Sequence, residues 1–313
     1  MRRAIMRRAA LSLAIIALAL PLLVAAPAQA LDARTWVSGA GDDANPCSRT
    51  APCQTFAGAL AKTAPGGEIN CLDAGQFGPV TITFSITISC AAGTAGARNP
   101  VSGAVAIDIG ADTTDVVTLR GLDLDGQGTG GVGILIISAK SVHVEKCTIR
   151  NFRFNGFSAG IFTGGSSTIF VFVADTVISD NSIGSYFTSS GGFKVASLKN
   201  VTITGSTSNG LRLDDTNVYA NVTKSIISGN GGAAVLANVS STTANIDRST
   251  IANNTIGLEA AAGSTIRISG NNIYNNTSGF VPLTSAFIQS DSTNNTGGSN
   301  GGAGVPNAPL TKN

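Results

Sequence analysis

The chain has 313 residues, 43% of them hydrophobic and 12% charged, with Lys+Arg 20 against Asp+Glu 18. Charge this sparse and this balanced excludes a nucleic-acid partner, which would require a basic stripe or face. The 38 glycines, with Val, Ile and Thr at the periodic positions, exclude a helical protein.

In chain order, residues 1–30 read as a secretory signal. Arg2, Arg3, Arg7 and Arg8 precede an apolar run from Ala9 to about Ala26, and Ala28-Gln29-Ala30 offers small residues for cleavage. The run is short for a bilayer span and holds Pro21 near its middle, so cleavage after Ala30 is expected rather than anchoring. Loss of the four arginines takes Lys+Arg from 20 to 16 against 18 Asp+Glu, a mature charge of about −2. No second apolar stretch is long enough to cross a membrane. The expected location is periplasmic or extracellular.

Residues 31–68 form an N-terminal disulfide loop and a capping helix. In an exported chain, Cys47, Cys53, Cys71 and Cys90 imply two disulfides, most simply Cys47 with Cys53 and Cys71 with Cys90, among the three connectivities that four cysteines allow. Zinc is the alternative for these thiols, but the spacing is wrong and the single histidine is remote. Cys147 is left over and reads as a small buried side chain. Between Thr55 and Lys62, Phe56, Ala59 and Leu60 suit one short amphipathic helix, placed to cover the open end of a solenoid. A strand follows from Glu68 to Leu72.

From 69 to 289 the chain repeats. Leu124, Ile149, Ile178, Ile203, Ile227, Ile251 and Ile273 recur at intervals of 25, 29, 25, 24, 24 and 22. Five residues before each stands a second apolar column, Leu119, Val144, Val173, Leu198, Val222, Ile246 and Ile268. Seven before stands a third, Val117, Val142, Val171, Ala196, Ala220, Ala244 and Ile266. Columns two apart share one face of a strand. Repeats near this length mean a solenoid, in which no unit buries its own apolar face and stacking supplies the core. Asn151, Asp180-Asn181, Gly205-Ser206, Gly229-Asn230, Asn253-Asn254 and Asn275-Asn276 mark one corner, where Asn and Gly accept left-handed backbone. A third strand then starts near Gly133, Gly160, Gly184, Gly210, Ala233, Gly257 and Gly279. The predicted fold is an all-β, right-handed parallel β-helix with about three strands per coil. Residues 290–313, rich in Gly, Asn and Ser, are expected to form a loose tail.

The segment Gly41-Asp42-Asp43-Ala44-Asn45-Pro46-Cys47, then Ala51-Pro52-Cys53-Gln54-Thr55-Phe56 and Pro65-Gly66-Gly67-Glu68-Ile69, resembles the opening of bacterial secreted right-handed parallel β-helix repeat proteins of the pectate-lyase-like superfamily. The resemblance runs through the coils to about Asn276. It implies the fold and leaves the activity open, since the superfamily holds lyases, hydrolases, esterases, epimerases and adhesins. Of the polygalacturonase motifs only Asp214-Asp215 has a counterpart. His143 lies in Val-His-Val, and Arg267-Ile268 is followed by Ser269. The epimerase signature Asp-Pro-His-Asp is absent.

For a polysaccharide lyase or hydrolase, the candidate catalytic residues are Asp123, Asp125 and Arg150, outward on adjacent coils. A lyase would add Ca2+ and use Arg150 as base. No further carboxylate completes a metal site, so an ion pair is the expected role, as it is for Arg120 with Glu145 and Lys146 with Asp175. His143 points outward, with Glu145 on its face. In the third strand the outward column reads Leu135, Phe162, Tyr186, Arg212, Val235, Glu259. Phe162, Tyr186 and Arg212 are the candidate ligand-binding residues, because flat rings in a row suit sugar faces. The alternative is that a bulge turns these rings inward. The expected function is a non-catalytic exported solenoid without cofactor or metal. Its partner would be a polysaccharide or cell-envelope component. The enzyme and a structural or adhesive rod are the alternatives.

Overall fold

Three parallel sheets wind around one apolar core in the computed structural model, which describes residues 31–91, 95–98, 102–261, 263–297 and 305–310. The expected secretory signal at 1–30 lies outside the described residues. Each lap gives one strand to each sheet in turn. Sheet A has 12 strands, from Asp32–Val37 to Ala308–Pro309. Sheets B and C have nine each, from Gly75–Gln76 to Asn272–Tyr274 and from Val80–Ile82 to Ser278–Pro282. Successive laps pair in parallel, and the fold is a right-handed parallel β-helix.

The register follows the aliphatic columns. Leu124, Ile149, Ile178, Ile203, Ile227, Ile251 and Ile273 are direct partners from strand to strand in sheet B, each fully buried. The two columns of sheet A are buried as well and pair from lap to lap, Val142 with Val171 and Val144 with Val173. Each such side chain contributes roughly 1.5–3 kcal/mol, and all of it depends on the neighbouring lap.

Tight corners separate the strands. Between sheets A and B a left-handed residue recurs at Gly121, Lys146, Asp175, Asn200, Lys224, Arg248 and Gly270. Between B and C it recurs at Asn151, Asp180, Gly205, Gly229, Asn253 and Asn275. The corner amides are satisfied by stacked side chains. Asn254 Oδ1 accepts from Asn230 N at 3.0 Å, and Asn276 Oδ1 accepts from Asn254 N at 3.0 Å. Asn254 Nδ2 returns to Ile227 O at 3.1 Å. At the A–B corner hydroxyls do the same, Ser249 Oγ accepting from Ser225 N at 3.1 Å. Where the chain enters sheet C, a glycine sits against the core: a Cβ on Gly184 would lie 2.4 Å from Ile203 Cγ2 and 2.5 Å from Gly210 O.

Three expectations change. Ala234, not Ala233, stands at the entry to sheet C, so Val235 is inward and Leu236 takes the outward place between Arg212 and Glu259. Two successive alanines, either small enough for the tight entry, left that register ambiguous. In segment 31–68, Asp32–Val37 is a strand that extends sheet A beside Thr63–Cys71, with a register break between Asp32 and Arg34. Of the expected loose tail, residues 298–304 and 311–313 lie outside the described residues, and two of the others join the ladders: Asn294 Oδ1 accepts from Asn271 N at 2.9 Å, and Asn307 Oδ1 accepts from Ile288 N at 2.7 Å.

At the N-terminal end, helix α1 (Phe56–Leu60) buries Phe56, Ala59 and Leu60, with Thr55 Oγ1 capping Gly58 N at 2.9 Å. Disulfides join Cys47 to Cys53 and Cys71 to Cys90, and Cys147 is a buried free thiol. Among the described residues, one charged side chain occupies an inward column. Lys194, between Ile169 and Val218, is fully buried and donates from Nζ to Gly165 O at 3.1 Å and to Ser167 O, which ties down two loops.

Ile227→Asp places a carboxylate between stacked laps and should cost several kcal/mol, on the order of a whole lap's stability. Ser228→Asp, one residue on and partly exposed, should leave the thermal midpoint nearly unchanged. Equal midpoints for the two variants would contradict this inside and outside assignment.

Candidate functional site

Asp123 and Asp125 alternate outward from Leu122 and Leu124, and register sets Asp125 opposite Arg150. The guanidinium grips both acids: Arg150 pairs with Asp123 through both amino groups, Nη2 to Oδ2 at 3.0 Å, and reaches Asp125 Oδ2 at 3.4 Å. The hydrogen bond that Arg150 donates to Asp123 raises the Arg150 pKa above its ordinary value, so this group holds its proton and is a poor base. Among the described residues, no three His, Cys, Asp or Glu side chains converge on a point where a metal could sit. The residues present therefore do not fit the calcium centre of a lyase.

Of the other expected pairs, Arg120 and Glu145 meet at 2.9 Å. Lys146 and Asp175 occupy equivalent corner positions, but the Asp175 carboxylate accepts from Asn200 Nδ2 at 2.7 Å. His143 faces outward and stacks on Phe172, ring centroids 4.8 Å apart and planes 19° apart, with its Nε2 3.4 Å from Ser141 Oγ.

Phe162, Tyr186 and Arg212 are consecutive partners on sheet C and lie on its outer face, partly exposed. The bulge that would turn them inward does not occur. Their geometry differs from a row of flat rings. Phe162 meets Tyr186 edge-on, centroids 5.0 Å and planes 87° apart, and the Arg212 guanidinium lies over the Tyr186 ring at 5.0 Å. Asp214 locks the arrangement. One oxygen, Oδ2, accepts from Tyr186 Oη at 2.9 Å and from Arg212 Nε at 2.9 Å. The platform is stepped, and its polar end is fixed before any ligand arrives. Burial first, then the bond to Asp214, pushes the Tyr186 phenol up to about 12.

Sequence reasoning missed Asp214 as the organiser, because its partner lies one lap back. It also missed exposed rings on sheet A. Phe170 and Phe172 are each about two-fifths exposed, and Phe193 stacks near Tyr219 with centroids 6.1 Å apart. The signal was present: in Ile169-Phe170-Val171-Phe172-Val173 the inward valines force both phenylalanines outward.

The fold is similar to that in a crystal structure of pectate lyase Pel9A, with a TM-score of 0.60, 16% identity, and 88% of this chain and 79% of that one covered. The A-module of the Azotobacter vinelandii mannuronan C-5 epimerase AlgE6 matches with a TM-score of 0.49 and 14% identity over 74% of this chain and 78% of that one. No curated protein sequence matches the chain. Among the described residues no helix is long and apolar enough to cross a membrane. The family described as "Periplasmic copper-binding protein (NosD)" matches residues 113–300. Since that match spans more than half of its length, the chain belongs to this family of periplasmic β-helix proteins.

Proposed function

We infer that the protein is an exported, periplasmic β-solenoid that binds a glycan or another cell-envelope component through its outer face, without catalysis. The observation that carries this reading is the Phe162, Tyr186 and Arg212 platform, two partly exposed rings and a guanidinium on three adjacent laps, with Tyr186 and Arg212 fixed by Asp214. Rings on an outer sheet face cost solubility unless they meet a partner, and sugars present apolar C–H faces to them. The platform combines such faces with hydrogen-bonding groups at one end, as a polysaccharide with both kinds of surface requires. The periplasmic description of the family agrees with export.

The family's copper is a different matter. Copper sites draw on imidazole, thiolate and thioether ligands. This sequence has one histidine, His143, and two methionines, Met1 and Met6, both within the expected signal. Four of its five cysteines are in disulfides, and the fifth, Cys147, is buried, with burial raising its thiol pKa to about 11. The residues present do not fit a copper centre.

The alternative of a polysaccharide lyase or hydrolase rests on Asp123, Asp125 and Arg150, whose closed ion-pair geometry leaves no free base. The rod alternative has no specific observation in its favour.

Replacing Phe162 and Tyr186 with Ala should weaken retention on polysaccharide affinity gels at least several-fold, with little change in melting temperature. Retention equal to wild type would reject the platform. Wild type and Asp123→Asn/Asp125→Asn should both release neither unsaturated uronates nor reducing ends, whereas turnover abolished by the double substitution would establish the enzyme. Purified protein should lose added copper to a competing chelator as fast as free ion does. In a spectrophotometric titration of the three tyrosines, one should ionise last, near pH 12, and be missing in Tyr186→Phe. Its pKa is raised from 10.0, so its bond to Asp214 is fully present below pH 10 and is lost as pH climbs through about 12.

A further inference from the structure

We propose that the outer face of sheet C takes a polysaccharide bearing free amines, such as a de-N-acetylated hexosamine polymer, and rejects polyuronates. This rests on the glycan-binding reading above and adds the class of glycan.

The argument is one of charge. The strands of sheet C carry four charged residues, Asp108, Arg212, Asp214 and Glu259. Register sets three of them in one outward column that runs Asp108, Leu135, Phe162, Tyr186, Arg212, Leu236, Glu259. At about 4.8 Å per lap, the two end carboxylates are roughly 29 Å apart with the ring platform between them. The only cation of the four, Arg212, is already committed to Asp214, Nη2 to Oδ2 at 2.6 Å. At the neighbouring corner Arg153 is likewise paired with Asp180, and Lys194 is turned into loop carbonyls. A polyuronate would bring a carboxylate on every sugar to strands with no uncommitted cation.

Asp108 and Glu259 present the opposite situation. Neither carboxylate has a hydrogen-bond or ion-pair partner among the described residues, and burial alone raises the pKa of each. A half-buried carboxylate without a cation is costly, and an ammonium group from a ligand would supply the missing charge-assisted hydrogen bonds. Asp108 also lies on the wall of a cavity of about 510 Å³ between α1 and sheet C, where Leu60, Pro79 and Phe84 are apolar neighbours and Asp108 is the single charged residue among the described lining. A sugar ring can lie against that apolar wall while its amine meets the carboxylate. The column then offers an anion at each end and aromatic contact between, a pattern complementary to a polymer that alternates apolar ring faces with cations.

The test measures binding of three oligosaccharides of equal length, from chitosan, chitin and polygalacturonate, to purified wild-type protein, to Asp108→Asn/Glu259→Gln and to Phe162→Ala/Tyr186→Ala. The chitosan fragment should bind wild type best and lose roughly tenfold or more in the charge variant, as expected for two lost charge-assisted contacts. The chitin fragment should bind more weakly and be indifferent to the charge variant. Both should weaken in the ring variant. Polygalacturonate binding as tight as chitosan, or chitosan affinity unchanged in the charge variant, overturns the amine preference and leaves glycan binding standing. Retention of none of the three by wild type overturns both. Melting curves of the variants, which alter partly exposed positions, keep a folding defect from passing as lost affinity.

Discussion

Parallel, in-register pairing between successive laps is the constraint on which the rest of this molecule depends. A lap has three short strands and no partner for its apolar side within itself, so its core exists only where the next lap repeats the pattern in the same columns. Pairing Ile203 with Ile227 and Ile227 with Ile251 aligns identical side chains and fixes the positions of the corners. The corners cost energy, because Lys146, Lys224 and Arg248 hold left-handed backbone at roughly 1 kcal/mol or more apiece. Stacked side chains offset that cost by satisfying buried corner amides from one lap to the next, Ser225 and Ser249 at this corner and the ladder of Asn230, Asn254 and Asn276 at the following one.

Because the inside is dictated, chemical variety is confined to the outward columns and the loops. Their contents differ from face to face. Sheet B carries a closed carboxylate and guanidinium cluster near its N-terminal end. Sheet A carries stacked but freely exposed rings. Sheet C carries a tyrosine whose hydroxyl is held by one aspartate, with Phe162 edge-on beside it. A backbone shared with a pectate lyase at 16% identity says nothing of which face is used. Family membership is similarly limited: the family's description names copper, whereas this sequence has a single histidine and two methionines.

Much of this was readable from the sequence because strand alternation is strict and the apolar columns admit few other residues. The sheet A and sheet B registers and the two disulfide pairings are as expected. Reading failed where local chemistry is permissive. Ala233 and Ala234 can each fill the tight entry to sheet C, and the choice shifts Val235 from outside to inside. Lys and Arg at the A–B corner carry no signature of left-handed backbone, unlike the Asn and Gly of the next corner. The strand Asp32–Val37 pairs across an intervening disulfide loop and helix, a contact no local pattern announces. The Tyr186 hydroxyl is held by Asp214 a lap away, beyond the reach of any periodicity.

Both disulfides fall within the first laps, and α1 closes the same end. Beyond Cys90 the laps are held by noncovalent contacts alone. In a molecule whose units touch only their neighbours, this makes a zipper riveted at one end. Laps can peel from the C-terminal side one after another, each removal exposing the next, while the N-terminal coils stay cross-linked. The probability of opening is therefore graded along the chain. The last laps, around Asn276 and Asn294, set where a protease first gains entry, and the paired cysteines set where its progress stops.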